Sequence, residues 1–373
     1  MTKRITNKTI ANNIKTSVFV QGISLLVSFI LSVIVPAFIS ELQYSYWQTY
    51  LLYVNYVGVL HFGLLDGLML RYSHYDYEEL DKKVISSQFN ILFFIVSMFS
   101  VIGIYIALWK LEAPTKYIVL FVAIGMVTKN IFTYNSYLFQ MTNRIGKYAL
   151  LIVFQRGVYG CLIVVFLLLD IEWYGWYCIA DLLGDIISCL FLRKSNKELY
   201  LSKLINVKEA ISEYKKNISV GMLLLFSNWF SLLILGSAKM FIQWKWGSLL
   251  FGKISFSLSI SNLFIAFISA VSIVLFPMLK RMENDKLPSL YFYIRKGLTT
   301  FLLIAMLFYF PCRNILNYFL PAYKEGVEYL GVLLPVVAFT SKITLLTNTY
   351  LKTYRKEREM NIFVSFFFLF SFI

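Results

Sequence analysis

The segment "HFGLLDGLMLRYSHYDYEELDKK", from His61 to Lys83, combines the end of an apolar run with a polar, charged stretch. Its first half continues an apolar run that can cross a bilayer, yet it carries Asp66 about one helical turn before its polar end. Gly63 and Gly67 flank this aspartate, and after Arg71 the segment becomes rich in tyrosines and acids. We therefore expect a membrane span that ends near Arg71, followed by a solvated loop.

The composition of the whole chain indicates a membrane protein. Of its 373 residues, 59% are hydrophobic and only 15% are charged, and the mean hydropathy is +0.69. A soluble domain is about half apolar and about a quarter charged. The opening "MTKRITNKTIANNIK" is a basic lead into a full-length apolar run, which predicts a retained anchor. The four cysteines have spacings that fit neither a metal site nor a disulfide framework.

Apolar stretches of about 20 residues can cross the hydrocarbon as helices. Ten such stretches are complete, and tyrosines and tryptophans crowd their ends as in a headgroup belt. They lie at Thr16–Ile39, Tyr44–Leu70, Phe89–Leu108, Tyr117–Phe139, Tyr148–Leu169, Tyr174–Leu192, Ile218–Leu235, Ile254–Leu279, Gly297–Phe319 and Leu330–Leu351. An eleventh starts at Asn361 and is cut off at Ile373. The sequence predicts an all-α polytopic membrane protein.

The distribution of basic residues predicts the orientation. If the N-terminus is cytoplasmic, 25 of the 35 Lys and Arg residues lie in inside segments, 7 lie in outer segments or, like Arg313, near the outer end of a span, and 3 lie in the middle of spans. This bias follows the positive-inside rule. The net charge of +15 therefore needs no nucleic-acid partner, because cytoplasmic loops that face anionic lipid explain it.

The polar segment Arg193–Asn217 predicts an amphipathic cytoplasmic linker between two groups of spans. A weak repeat crosses it: "TKNIFTYNSYL" from Thr128 matches "SKITLLTNTYL" from Ser341 at an offset of 213, and spans two and eight correspond at an offset of 210. Six spans per repeat make the copies parallel, as in some alternating-access transporters. We expect two six-helix lobes in parallel repeat, with residues 1–192 as the N-lobe, 193–217 as the linker and 218–373 as the C-lobe.

Three segments resemble bacterial oligosaccharide and O-antigen flippases, which are polysaccharide transporters of the multidrug/oligosaccharidyl-lipid/polysaccharide (MOP) superfamily. In "GLLDGLMLRYSHYDYEELDKK", a Gly-x-x-Asp-Gly turn precedes Leu-Arg-Tyr and a loop rich in tyrosines and acids, which is often seen in those proteins. The other segments are "LFGKISFSLSISNLFIAFISAVSIVLFPMLKRM" around span eight and "YLGVLLPVVAF" with "NTYLKTYRKEREM" around span ten. The resemblance covers nearly the whole chain, but its diffuse motifs identify the family better than the substrate.

The resemblance implies two lobes around a central cavity in the bacterial inner (plasma) membrane. It implies that the protein moves a polyprenyl-pyrophosphate-linked oligosaccharide from the inner to the outer leaflet by alternating access, for surface polysaccharide synthesis. Its partners would be this lipid-linked glycan, membrane lipids and glycan assembly enzymes. We expect no cofactor and no metal.

Asp66 allows two interpretations at the inner end of span two. It could form a gate or an ion pair with a basic residue of another helix, which would close the inner side. Alternatively, it could lie in the interfacial zone and pair with lipid headgroups or with Arg71, because a carboxylate near a span end is well tolerated.

Charges in the middle of spans are costly and usually face a bundle interior or a water-filled cavity. Lys129 and Lys342 lie deep in spans four and ten, Arg156 lies in span five, and Asp181 and Asp185 share a face of span six. In the functional interpretation, Lys129, Lys342 and Arg156 bind the pyrophosphate, and repeat symmetry makes the two lysines a clamp. In the alternative, the basic residues pair with counter-ions such as Asp185 and stabilise packing alone.

Enzyme motifs for nucleotide phosphates, paired-histidine metal sites or a serine nucleophile do not occur in the sequence. We expect a transporter and not an enzyme. A membrane glycan polymerase or glycosyltransferase remains an alternative, although the predicted outer loops are short for one. A cation-coupled drug exporter of the same superfamily is a second alternative, and deep acids such as Asp181 and Asp185 would suit it.

The run "IFVSFFFLFSFI" at the end of the chain predicts that residues 1–373 are an incomplete protein. About thirteen residues from Asn361 span roughly 20 Å as a helix, which is short of a hydrocarbon core of roughly 30 Å. We therefore expect a second lobe that is truncated in span eleven.

Overall fold

The computed structural model describes residues 7–280 and 284–354, and every regular element in these two ranges is helical. Two π-helical segments, Ile30–Ile34 and Ile343–Asn348, and several short 3-10 turns interrupt the α-helices. The α-helices in chain order are α1 Asn7–Phe29, α2 Val35–Phe38, α3 Glu41–Val54, α4 Leu64–Tyr72, α5 Lys82–Lys110, α6 Thr115–Met141, α7 Ile145–Leu168, α8 Tyr174–Leu192, α9 Lys197–Tyr200, α10 Val207–Lys280, α11 Leu287–Phe319, α12 Lys324–Lys342 and α13 Thr349–Thr353.

Within the described ranges, eight helices are long and apolar enough to cross a membrane, or nine if one bent pair counts as a single span. Their apolar length leaves many side chains on the outside of the helices, as a lipid environment requires. The expected all-α polytopic membrane fold is confirmed. The predicted eleventh span, from Asn361, lies outside the described residues.

The second predicted span is broken. The segments Glu41–His61 and Leu64–Tyr72 meet at an angle of 55°. At the break, Phe62 and Gly63 have φ values of 50° and 81°, a left-handed conformation that glycine adopts without strain. A side chain at position 63 would also collide with the backbone of Met222, so the sequence uses glycine here for two reasons.

Spans seven and eight are predicted as two helices, and the structure divides α10, Val207–Lys280, at one non-helical residue, Gly247, with φ 83° and ψ 176°. The predicted outer segment between the two spans, residues 236–253, is helical on both sides of this residue. The connecting residues are mostly apolar or aromatic and continue the helix on both sides of this glycine. One left-handed glycine is enough to redirect the chain, so a separate loop is not needed.

The helices form two compact units. One comprises Tyr46–Lys239, and the other comprises the described residues of 1–45 and 240–373. The predicted lobe bounds, 1–192 and 218–373, stay a prediction, because compactness alone does not define a transport repeat.

The core of the unit Tyr46–Lys239 is formed by leucines of α4 and the packing faces of α5 and α6. Leu64 and Leu65 are fully buried, and Tyr134 of α6 donates a hydrogen bond to the carbonyl of Ile85 in α5. Leu199 of the predicted linker is also fully buried in this core. The linker therefore belongs structurally to this unit.

Candidate functional site

A buried charge cluster lies between α6 and α8. The ammonium Nζ of Lys129 lies 2.7 Å from Oδ1 of Asp181 and 2.8 Å from Oδ2 of Asp185. Asp181 and Asp185 are four residues apart on α8, so both carboxylates face the same neighbouring helix. The Asp185 side chain is only 1% exposed and that of Lys129 is 22% exposed. We call Lys129, Asp181 and Asp185 the charge cluster.

Tyr50 of α3 extends the charge cluster. Its phenol donates a hydrogen bond of 2.8 Å to Oδ2 of Asp181, while Lys129 occupies Oδ1 of the same carboxylate. Gly184 allows α8 to approach α7 closely, because a side chain there would press on the carbonyl of Gln155. The site is thus built from four helices that a single unit holds together.

The charge cluster has more acid than base. With all three groups ionised, one ammonium faces two carboxylates, which leaves one negative charge among buried residues. Burying an uncompensated charge is expensive, so the cluster is stabilised by taking up a proton or another cation. The arrangement can therefore exchange a cation, and it holds Lys129 by two short contacts.

The charge cluster bears on the prediction for Lys129. The pairing of Lys129 with Asp185, which was the structural alternative, is present, and Asp181 joins it. The two carboxylates next to Lys129 reduce the electrostatic attraction between its ammonium and any further anion. Lys342 lies in the other unit, so a symmetric clamp of Lys129 and Lys342 stays a prediction.

The other two predicted cations have no such partners. Arg156 in α7 and Lys342 at the end of α12 are half-buried, and neither has an ion-pair partner within residues 7–280 and 284–354. Lys342 directly precedes the π-helical segment Ile343–Asn348. Their binding of a substrate stays a prediction.

Asp66 is buried at the break in span two and has local partners. It accepts a hydrogen bond of 3.3 Å from the hydroxyl of Tyr137, and its Oδ2 lies 3.9 Å from Nε2 of His61. The backbone N–H of Gly63 donates to Nδ1 of His61, which leaves the proton of the neutral ring on Nε2, facing Asp66. Among the described residues, Asp66 therefore contacts Tyr137 and His61, whereas Arg71 contacts Glu213 and Asn217. Both interpretations of Asp66 as a gate or as an interfacial residue stay predictions.

Arg71 has partners that the sequence did not indicate. Its guanidinium donates to Glu213 at 2.9 Å and to Asn217 at 2.5 Å, so it fixes the first turns of α10 to the end of α4. In the other unit, Lys253 lies 3.5 Å from Glu41 and 3.2 Å from Glu325, at span ends that are all predicted to be outer. Sequence separations of 142 and 212 residues gave no local signal for such pairs.

An apolar groove of about 330 Å³ lies on the unit Tyr46–Lys239, between the 3-10 turn Val57–His61 and α6. It is lined by tyrosine, valine, isoleucine, leucine and methionine side chains.

In the described part of the chain, no group of three His, Cys, Asp or Glu side chains could hold a metal ion.

Comparisons with known proteins yield a likeness of fold. No protein-family model and no curated protein matches the sequence. A solved MOP superfamily transporter from Pyrococcus furiosus is similar over 94% of this chain and 84% of its own, with a TM-score of 0.51 and 12% identity. A MATE structure in the bent conformation aligns over 94% of this chain and 82% of its own, with a TM-score of 0.47 and 12% identity. The first likeness shows that the chain shares the fold of that transporter. Membership of the superfamily, and of the flippase family within it, stays a prediction.

Proposed function

We propose that this protein is a flippase that moves a polyprenyl-pyrophosphate-linked oligosaccharide from the inner to the outer leaflet of the bacterial plasma membrane. Two findings support the proposal: the chain has the fold of a transporter superfamily, and its segments around spans two, eight and ten resemble those of oligosaccharide flippases. Alternating access would move the sugar headgroup along a wet path while the lipid tail stays in the bilayer.

The observation that carries the proposal is the environment of Lys342. This residue lies nine positions before the end of predicted span ten, Leu330–Leu351, roughly 14 Å along a helix. An unpaired ammonium at such depth costs about 3 kcal/mol, unless it faces a cavity or an anion. A pyrophosphate headgroup is an anion that would offset this cost through charge-assisted hydrogen bonds.

The backbone next to Lys342 supports a functional role for this lysine. The π-helical segment Ile343–Asn348 follows it, and π-helical turns occur frequently at functional sites. The hydroxyls of Ser272 and Thr349 are 2.6 Å apart, and Thr349 also donates to the carbonyl of Thr344. These bonds link the altered turn to α10, so the Lys342 backbone is held in place.

A second candidate function is the export of a cationic drug coupled to a cation gradient. The charge cluster favours it, since its surplus carboxylate can bind and release a proton. Cation exchange at the charge cluster could also drive flipping, so the cluster does not by itself distinguish the two functions. The chemical nature of the transported molecule distinguishes them.

The proposal is tested in a strain that lacks its own lipid-linked oligosaccharide flippase. We expect the gene that encodes this chain to restore surface polysaccharide, and Lys342→Ala to reduce export by roughly five- to 150-fold at unchanged protein abundance. Lys342→Arg should keep part of the activity, because it keeps the charge. Lys324→Ala, at the exposed start of the same helix, is the matched control. Full export by Lys342→Ala would contradict the assignment.

A further inference from the structure

The linker Arg193–Asn217 is bound to the inner ends of neighbouring spans by specific contacts. Glu198 pairs with Lys82 at 3.3 Å, and the backbone N–H of Ile205 donates to the hydroxyl of Ser87 at 3.0 Å. The side chain of Gln88, which is fully buried, donates to the carbonyl of Ala210 at 3.0 Å. The linker is therefore held in position at Glu198, Ile205 and Ala210.

These contacts set the depth of the linker in the membrane. Helix α5 begins at Lys82 and continues as an apolar span, and Ser87 and Gln88 lie five and six residues into it. At about 1.5 Å per residue they lie roughly 8–9 Å from the helix end. The predicted third span begins at Phe89, so the linker contacts α5 next to the predicted boundary between headgroups and hydrocarbon.

The outward side of the linker combines apolar and basic side chains. Leu201 is 68% exposed, Leu204 is 56% exposed and Val207 is 70% exposed. Exposed lysines alternate with them along the chain. We call the following six residues the linker patch: Leu201, Lys203, Leu204, Val207, Lys208 and Lys215.

Within α10, the two flanks of the first turns differ in charge. At 100° per residue, Val207, Lys208 and Lys215 fall on one flank of the buried residue Ala210, whereas Glu209 and Glu213 fall on the other. The part of the linker patch that lies on α10 therefore contains two lysines, Lys208 and Lys215, and none of the acids of this helix. Such a surface complements a negatively charged apolar boundary.

We propose that the linker patch is an interfacial anchor that binds anionic phospholipids of the cytoplasmic leaflet. Leu201, Leu204 and Val207 enter the boundary between headgroups and acyl chains, and the three lysines contact lipid phosphates. Exposed apolar side chains next to lysines are typical of segments that lie in the membrane interface. The anchor would hold the inner end of the unit Tyr46–Lys239 at a fixed depth, whatever molecule the protein transports.

The test measures the depth and the lipid preference of the linker patch in the full chain. A bimane label is attached at Val207→Cys or at Glu209→Cys, with the exposed Cys161 and Cys312 replaced by alanine. Both positions are exposed and lie in the same turn, so Glu209 is the matched control. The protein is placed in nanodiscs that contain brominated phosphatidylglycerol or, at the same mole fraction, brominated phosphatidylcholine.

We expect both brominated lipids to quench the Val207 label, with phosphatidylglycerol quenching at least about threefold more, because each lysine near an anionic surface contributes roughly a fivefold preference. The Glu209 label should stay accessible to aqueous iodide. Replacing the three lysines by glutamine should remove the preference for phosphatidylglycerol. Equal iodide access at both positions would overturn the proposal. The proposal would also be overturned if the Val207 label were protected from iodide only when two copies of the protein share a nanodisc. In that case, the linker patch would contact a second chain.

Discussion

At the scale of single residues, the charge cluster is the feature that most needs an explanation. Nothing local in the sequence distinguishes a lysine that binds substrate from one that stabilises packing. The i and i+4 spacing of Asp181 and Asp185 predicted that both face one side of α8, and pairing with Lys129 was one of the alternatives. The contribution of Tyr50 could not be predicted, because it lies 131 residues from Asp181.

Removing Lys129 should destabilise the protein. Lys129→Ala would leave two carboxylates buried without a cation, and breaking a buried ion pair costs about 3–5 kcal/mol. We expect a lower midpoint of thermal unfolding in detergent and a lower abundance in the membrane. Lys129→Ala combined with Asp185→Asn should recover part of the loss, because the net charge of the cluster then returns from −2 to the −1 of the unchanged protein. Lys110→Ala, at the exposed end of α5, serves as the control.

Two measurements on the same variants separate stability from transport. If Lys129→Ala kept its abundance and thermal midpoint but lost export, Lys129 would bind substrate and its pairing would be secondary. If Lys129→Ala and Lys342→Ala together exported normally at normal abundance, neither lysine would bind the pyrophosphate.

At the scale of elements, close helix contacts depend on glycine. A side chain at Gly67 would collide with the backbone of Asn217, and one at Gly221 would collide with the backbone of Gly63 and Gly67. Helices α4 and α10 can therefore approach each other only where both lack side chains. The sequence showed Gly63 and Gly67 around Asp66, but their partner helix was not visible, because Gly221 lies more than 150 residues away.

Gly67→Ala should separate α4 from α10 and lower the stability by about 1–3 kcal/mol, as other overpacked sites do. Gly157→Ala in α7 is the matched control, since a side chain at that position meets nothing within 4 Å. It should leave the stability unchanged or raise it slightly, because alanine favours helix. Thermal unfolding of both variants in detergent checks this. Equal midpoints would show that the two helices do not pack as described.

The contact between α4 and the start of α10 should depend on pH. A hydrogen bond from Lys216 and a further one from Arg71 hold the pKa of the Glu213 carboxyl below its usual value of 4.5. A group with a lowered pKa stabilises the folded state above its unfolded pKa, and this stabilisation is lost as the pH falls through the lowered value. The linker should therefore loosen as the pH falls below about 4.5.

A spin label at Val207→Cys would report this loosening as increased mobility between pH 6 and pH 3. Glu213→Gln should remove the step, because the titrating group is gone. Glu209→Gln changes an exposed acid in the first turn of α10 that is not one of the partners of Arg71 described above, and it should keep the step. A step that survives in Glu213→Gln would assign the pH dependence to another group.

The helical elements themselves were largely predictable. Apolar length alone located most of the spans, because hydrocarbon imposes the same requirement on each of them. The exceptions lie where residues with positive φ change the direction of the chain. These residues are Phe62 and Gly63 at the break in span two, and Gly247 in α10. Periodicity and hydropathy do not report a backbone angle, so these two features could not be predicted.

At the scale of the whole molecule, composition and charge predicted the class of protein, and the likeness to a MOP superfamily transporter confirms the fold. The fold does not identify the substrate. Proteins of one fold transport chemically unlike molecules, and specificity depends on a few side chains. Lys342, Arg156 and the charge cluster are the residues in this chain at which that specificity can be tested.

The most direct measurement is transport in proteoliposomes by the purified product of the complete gene. A fluorescent polyprenyl-pyrophosphate oligosaccharide is placed in the inner leaflet, and its arrival outside is followed with a membrane-impermeant quencher, beside a parallel assay for a cationic dye. We predict movement of the lipid-linked glycan, little movement of the dye, and a loss of at least about fivefold in Lys342→Ala. Transport of the dye without movement of the lipid-linked glycan would contradict the flippase function and leave the cation-coupled exporter.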